Sequence, residues 1–359
     1  MKKPLKIIVP QHFECDFLGA TITTGLYETG ADVYETPYVK HLHGGIDKDY
    51  LLADGSLGLT GVPGFMSNSL PPNEKSEEEI LEAAKDADFI VAHSTRKYAL
   101  ESLDRIISHL GRNPGNIVIV DGEDSDFINR QIIEKFRPLV LFKREMLRHH
   151  SLKFYADFCG VPTYPLPFGS FIRSLPNVDD QEKKWDFCLS LGYTHPCRLT
   201  LLKACLQANI PNSYIAGDGN NPLRQQYPHL REMLSWPEYM KMHAQAKVTA
   251  SIRGFGRDTL NFWEKASWAT ALLYCPPNIY IPHPFIDRQH CIYFTEDCAD
   301  VPEKIRWLLA EESYRQDIAA AGKRHCREFH TTKARAAYLL AIAAKILGGE
   351  KIDPEEFGL

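Results

Sequence analysis

No C-x-x-C pair occurs among the nine cysteines, which lie scattered at positions 15, 159, 188, 197, 205, 275, 291, 298 and 326. That excludes a disulfide framework and a cysteine-built zinc site, and leaves reduced thiols packed as small core residues, with the cytoplasm as the expected location. Long apolar runs are missing too. The longest late stretch, AAYLLAIAAKIL, has about 12 residues where a bilayer span needs about 20. It reads as a packed helix, so no transmembrane segment is expected and any membrane contact is peripheral. The N-terminal MKKPLKIIVPQ has basic residues but too short an apolar core for a signal peptide. There is no positive excess either: the formal net charge is -5, which gives no argument for a nucleic-acid partner. Phosphate fingerprints are absent as well. No G-x-x-x-x-G-K-[ST] occurs, and after the first strand PQHFECDFLG stands where a dinucleotide-binding G-x-G-x-x-G would, which weighs against an NAD enzyme.

What the sequence does contain is alternation. The 359 residues are enough for two cores of ordinary size. In the first half, strand candidates KIIVP, ADVYETP, DFIVAHS, NIVIVDGED and PLVLFKRE alternate with helix-period segments. SEEEILEAAKDA carries a capping box from Ser76 to Glu79. Residues 41–76, rich in Gly, Pro, His and Asn, read as an irregular excursion. A polar linker, LPNVDDQEKKWDF, then precedes a second alternation: DFCLSLG, SYIAGDG, KVTASIRG, ALLYCPP and CIYFTED, followed by helices from about 301 to 347. Such alternation predicts parallel sheets. The expected organisation is α/β: a Rossmann-like domain over 1–175, a second over 185–345, a tail over 346–359, and a cleft between the domains.

In parallel α/β sheets, ligands bind beyond the carboxyl ends of the strands. His12, Glu14 and Asp16 follow the first strand, His93 and Ser94 follow DFIVA, and DGEDSD follows NIVIV. In the second half YTHPCR, GDGNN and IRGFGRDT hold these places. Polar residues here also suit turns and helix caps, but the segment 251–264 has more than a turn requires. Its glycines would expose backbone N–H groups at a helix start, with Asp258 or Thr259 as cap, and Arg253 and Arg257 would add charge-assisted bonds to phosphate oxygens. A carboxylate at Glu264 suits vicinal hydroxyls such as those of a ribose.

At these residues the chain resembles GT-B glycosyltransferases, in particular the spore-maturation-type and exostosin-like domains. The likeness rests on GFGRDTLNFWEKASWATALLYCPP and on the trailing CIYFTEDCADVPEKIRWLLAEESYRQDIAAAGKRHCREFHT, covering about 185–345. VDGEDSDF and LFKREML in the first half look similar to the same group. The resemblance implies a GT-B architecture with C-terminal helices packing back toward the first domain. It further implies a nucleotide-diphosphate-sugar donor, UDP or GDP, held by the second domain, and a sugar, glycan or other hydroxyl acceptor held by the first. Glu264 would match the ribose-binding glutamate. Arg253, Gly254, Gly256, Arg257 and Thr259 would lie by the diphosphate, with Gly192, Thr194 and Arg198 after the first strand of the second domain. Gly256 stands where many retaining members have a second glutamate, so inverting and retaining chemistry both stay open. Asp16, His12 and His93 are the candidates for the base that an inverting reaction needs. No metal and no further cofactor are expected, since arginines and a helix terminus can stabilise the leaving diphosphate.

Three alternatives stand beside this reading. Asp124 and Asp126 have the D-x-D spacing that holds Mn²⁺ and a diphosphate in the other glycosyltransferase fold. A sugar-nucleotide epimerase shares the two-domain architecture, and so would a non-catalytic protein that binds nucleotide-sugars or glycans.

Overall fold

The computed structural model describes residues 3–11, 16–43, 70–93, 96–171, 181–218, 221–228 and 230–359. It divides into two compact units: residues 1–174, 278–283 and 331–359 form the first, and residues 175–277 with 284–330 the second.

In the first unit β1 (Lys6–Pro10), α1 (Phe17–Glu28), β2 (Asp32–Thr36), α2 (Glu77–Ala84), β3 (Phe89–Ala92), α3 (Lys97–Leu110), β4 (Ile117–Asp121), α4 (Arg130–Phe136), β5 (Val140–Lys143), α5 (Leu152–Cys159) and β6 (Thr163–Pro165) follow in turn. The strands pair in the order β2-β1-β3-β4-β5-β6, all parallel. Strands β3, β4 and β5 are buried at every position, which is why FIVA, IVIVD and VLFK read as nearly unbroken apolar runs instead of alternating ones. Helix α2 starts with the expected capping box: the Ser76 side chain accepts from the Glu79 N–H at 3.2 Å, and the Glu79 carboxylate accepts from the Ser76 N–H at 2.8 Å. Of the expected irregular excursion, 44–69 lies outside the described residues, and Lys40–His43 forms one 3₁₀ turn.

The second unit runs through β7 (Trp185–Leu191), α6 (Pro196–Ala208), β8 (Ser213–Gly217), β9 (Arg231–Glu232), α7 (Trp236–Ala244), β10 (Ala246–Ser251), α8 (Leu260–Ala266), β11 (Ala271–Tyr274), β12 (Ile292–Tyr293), α9 (Val301–Ala310) and α10 (Glu312–Phe329). Its parallel sheet has the order β12-β11-β10-β7-β8-β9. Phe187, Leu189, Leu201, Val248, Leu273 and Ile305 are central to its core.

The last helix, α11 (Thr332–Leu347), corrects the expected domain limits. It belongs to the first unit, as does the stretch after it, whereas α9 and α10 stay with the second. Close approach to α1 is the reason. A Cβ at Gly25 would lie 2.1 Å from the Thr332 carbonyl oxygen, and the Thr332 hydroxyl hydrogen-bonds Glu28. The buried Arg335 donates to the Phe168 carbonyl at 3.0 Å. Residues 346–359 are not a loose tail either: Phe357 is buried, and Lys345 pairs with Glu356 at 2.6 Å. The eight cysteines among the described residues are all free thiols.

In each sheet the chain order reverses beside the unit's first strand. β1 lies between β2 and β3, and β7 lies between β8 and β10. Loops leaving the two central strands diverge at such a point and leave a crevice at the sheet's carboxyl edge.

Candidate functional site

The reversal in the second unit brings together two segments singled out from the sequence. Loop 192–195 leaves β7 and enters α6, where His195 is the N-cap, accepting from the Cys197 N–H at 3.3 Å, and Pro196 takes the first helical position. Proline tolerates that place because the N–H it lacks would have no helical partner there. Loop 252–258 leaves β10. Arg198, in the first turn of α6, joins the two: its Nε donates to the Arg253 carbonyl at 3.0 Å and its Nη1 to the Gly192 carbonyl at 3.2 Å. Gly254 has to be glycine for this arrangement, since a Cβ there would lie 2.8 Å from Arg198 Nη2 and 3.1 Å from Thr194 Oγ1. The Thr194 hydroxyl is buried and has no hydrogen-bond partner among the described residues. A tight turn closes loop 252–258, with the Gly254 N–H donating to the Gly256 carbonyl at 3.1 Å. Arg253 folds over that turn and donates to the Phe255 carbonyl at 2.9 Å, and the Phe255 ring stands 68% exposed. Arg257 is half-buried at the end of the same loop.

Thr259 is the N-cap residue of α8 but makes no side-chain cap bond, and Asp258 instead accepts from the Trp263 indole N–H at 2.7 Å. Helix α8 has only 7 residues, and α6 has 13. Neither helix has an acidic residue in its first turn, and the longer α6 presents its positive end beside Arg198.

Glu264 lies within α8 and is 9% exposed, so a solvated surface carboxylate is ruled out. One of its oxygens accepts from the Tyr239 hydroxyl at 3.2 Å, and that hydroxyl accepts from Asn261 at 2.6 Å. Burial, with Glu264 beside it, holds the Tyr239 phenol well above its usual range, so it stays a neutral donor. Next to Glu264, Lys265 is fully buried and donates to the Ala250 carbonyl at 2.8 Å. Burial pushes its ammonium down to about 7; Glu264 opposes that shift and Arg198 reinforces it. Tyr239, Asn261 and Lys265 were missed in the sequence. Spacing within α8 hints at Asn261 and Lys265, but no local pattern ties α7 to Glu264.

In the first unit the reversal lies between β1 and β3. His12 and Glu14 lie outside the described residues, as does Ser94. Asp16 is the N-cap of α1, its Oδ1 accepting from the Gly19 N–H at 2.9 Å. His93, at the end of β3, is buried, and its Nε2 lies 2.8 Å from the Thr23 hydroxyl. Both side chains border Gly19: a Cβ there would be 2.6 Å from His93 Nδ1 and 3.1 Å from the Asp16 carboxyl carbon. Burial lowers the pKa of His93 against the opposing pull of Asp16, which favours a neutral imidazole.

The D-x-D pair sits differently. Asp124 is bound by the Arg144 guanidinium, whose face also covers Phe168 at 4.4 Å. The buried Asp121 pairs with Lys143 at 3.0 Å. Asp124 and Asp121 thus face cations that the chain itself supplies, while Asp126 is exposed. Among the described residues, no group of three or more His, Cys, Asp and Glu side chains is placed to hold a metal ion.

The architecture is that of the GT-B glycosyltransferases, and solved structures of this fold match nearly the whole chain. Sucrose-phosphate synthase from Thermosynechococcus elongatus is 11% identical, covers 97% of this chain and 100% of its own, and has a TM-score of 0.55. The Anabaena HepE protein in complex with UDP-glucose is 10% identical, with coverage of 95% and 99% and a TM-score of 0.55. A glycosyltransferase from Rickettsia africae is 10% identical, with coverage of 97% and 99% and a TM-score of 0.57. At such identities the likeness is one of fold. From the sequence side, residues 200–341 match the family model described as glycosyl transferase-like. No curated protein matches the chain. Among the described residues no helix is long and apolar enough to cross a membrane.

Proposed function

We propose that this chain is a glycosyltransferase that moves a sugar from a nucleoside-diphosphate sugar to an acceptor hydroxyl without using a metal ion. The observation that carries the reading is the junction at the second unit's sheet reversal, where Arg198 joins the loops after β7 and β10, the second of which leads into α8 with its buried Glu264. A diphosphate suits the positive end of α6 with Arg198, Arg253 and Arg257, while Gly192, Thr194, Gly254, Gly256 and Thr259 provide close backbone and hydroxyl contacts. Glu264 suits the ribose hydroxyls. The solved HepE complex, of the same fold, holds UDP-glucose, which supports a nucleotide-sugar as ligand.

In the reaction the bond between the sugar's anomeric carbon and the diphosphate oxygen breaks, and the oxygen keeps the electron pair. The acceptor oxygen bonds to the anomeric carbon and gives up its proton. The arginines stabilise the charge that grows on the departing diphosphate. His93 and Asp16 are the acceptor-side groups for the proton, with His12 as a third candidate. The donor carries UDP or GDP. The acceptor is a sugar, glycan or other hydroxyl compound, and the setting is cytoplasmic synthesis of polysaccharide or glycoconjugate.

Calorimetric titration with UDP and with GDP, each with and without EDTA, tests the donor site. Binding of one nucleotide, unchanged by EDTA and lost in Arg198→Ala, is the expected result. Binding that needs a divalent ion would overturn the metal-independent reading. An isomerised sugar nucleotide formed without acceptor would assign an epimerase instead.

A further inference from the structure

Helix α6 begins with its own backbone donors already spent. Pro196 has no N–H, the Cys197 N–H goes to His195 Nδ1 at 3.3 Å, and the Arg198 N–H goes to the His195 carbonyl at 3.0 Å. An anion at this end therefore meets no free N–H on the first three residues of the helix. What stands there is the half-buried imidazole of His195, which takes up one of those donors and has a second nitrogen on its far side.

The capping bond fixes which nitrogen carries the ring hydrogen. A backbone N–H can only donate, so Nδ1 meets it with a lone pair. The Cys197 sulfur lies 3.0 Å from the same nitrogen and 3.7 Å from the Arg253 carbonyl. Burial pushes that thiol up, so it keeps its proton and is a donor toward either one. Nδ1 thus only accepts. The hydrogen is on Nε2, which has no partner among the described residues. Burial, with the charges of Arg253 and Arg198, holds the imidazole below its ordinary range and keeps it neutral at pH 7.

The ring and the two arginines occupy one place, since Arg198 also donates to the Arg253 carbonyl. A ring that accepts a helix's terminal N–H at one nitrogen is a stronger donor at the other, because linked hydrogen bonds polarise one another. Serine would cap α6 without reaching beyond it, and aspartate would bring a negative charge to the arginines.

We infer that His195 touches the donor directly: its Nε2–H donates to a diphosphate oxygen of the nucleotide-sugar and, through the ring, brings the positive end of α6 to the leaving group. This rests on the reading of the junction as the diphosphate site. As the bond from the anomeric carbon breaks and its electron pair passes to the diphosphate oxygen, the N–H···O bond strengthens with the growing charge. No proton leaves the ring.

The test is calorimetry on the full chain with UDP, GDP and their nucleosides, set against His195→Ser. Serine keeps a capping oxygen for the Cys197 N–H and has nothing at the place of Nε2. Thermal stability should stay at the wild-type level. The Kd of the nucleoside diphosphate that binds should rise roughly tenfold, with that of its nucleoside held within about twofold. His195→Thr, a second capping residue without the ring, should behave alike. Wild-type diphosphate affinity in these variants would overturn the inference, and so would an equal loss for the nucleoside. In ¹⁵N-histidine NMR of the wild type, the signals missing from the variants should be pyrrole-like at Nε2 and pyridine-like at Nδ1; hydrogen on Nδ1 would also overturn it. The reading beneath fails separately: a wild-type chain that binds neither UDP nor GDP would remove the diphosphate site even with the tautomer as derived.

Discussion

The guanidinium of Arg198 donates to the main-chain carbonyl of Arg253 at 3.0 Å, so the first turn of α6 and the loop after β10 form one piece of structure. Arg198 thereby sets the shape of loop 252–258 as well as contributing charge beside it.

Gly254→Ala tests that joint. The added methyl would meet Arg198 Nη2 at 2.8 Å, and Arg198 cannot swing away without losing its two carbonyl acceptors. Affinity for the nucleoside diphosphate should fall roughly tenfold, or about 1.4 kcal/mol by calorimetry, with little change in thermal stability. Unaltered affinity would separate this loop from donor binding.

Glu264→Gln and Arg257→Ala should differ in what they discriminate. Loss of the Glu264 charge should weaken UDP or GDP by about 1–3 kcal/mol and weaken the nucleoside to the same extent, since the ribose is common to both. Arg257→Ala should weaken the diphosphate and spare the nucleoside. Parallel titrations with nucleoside and nucleotide measure both, and equal losses in Arg257→Ala would contradict a phosphate role.

Lys265 carries a pH dependence of known sign. Its ammonium is held down to about 7 from an ordinary 10.5, so the unfolded chain binds the extra proton between those values and stability rises with pH across that window. The cost of burying the charge is complete below pH 7. Lys265→Met should therefore be more stable than wild type by roughly 2–4 kcal/mol near pH 6, the difference shrinking toward pH 10. Urea denaturation at several pH values reads this directly, and a difference independent of pH would show that Lys265 does not titrate there.

How much of this was legible in the sequence varied with range. The parallel sheets were readable because fully buried strands leave continuous apolar runs, as in IVIVD of β4. The capping box at Ser76 is a four-residue pattern and needs no tertiary knowledge. Loop 252–258 stood out because its arginines and glycines exceed what a turn requires. Tyr239 on Glu264, and Thr23 on His93, join residues distant in sequence, and only the fold decides those encounters. The allegiance of α11 was hidden for a related reason: an apolar helix face announces that it will be covered, not by which body.

Gly25→Leu tests that allegiance. Its side chain would enter space held by the Thr332 carbonyl and the Ala336 methyl, so α11 should be displaced from α1. Overpacking of this kind costs typically 1–3 kcal/mol. Hydrogen exchange should show faster amide exchange in α1 and α11, with α9 and α10 unaffected. Uniform protection would remove the contact as a determinant of the first unit's stability.

The pairing of α1 with α11 also sets an order of events during synthesis. About 300 residues separate the two helices in sequence, yet they share one body. A chain leaving the ribosome has every residue of the second unit in hand by position 330, while the first still lacks the helix that covers α1. The unit begun first is finished last. Until then the Gly25 side of α1, which Thr332 and Ala336 cover in the finished protein, waits open, the condition in which chaperones bind nascent chains.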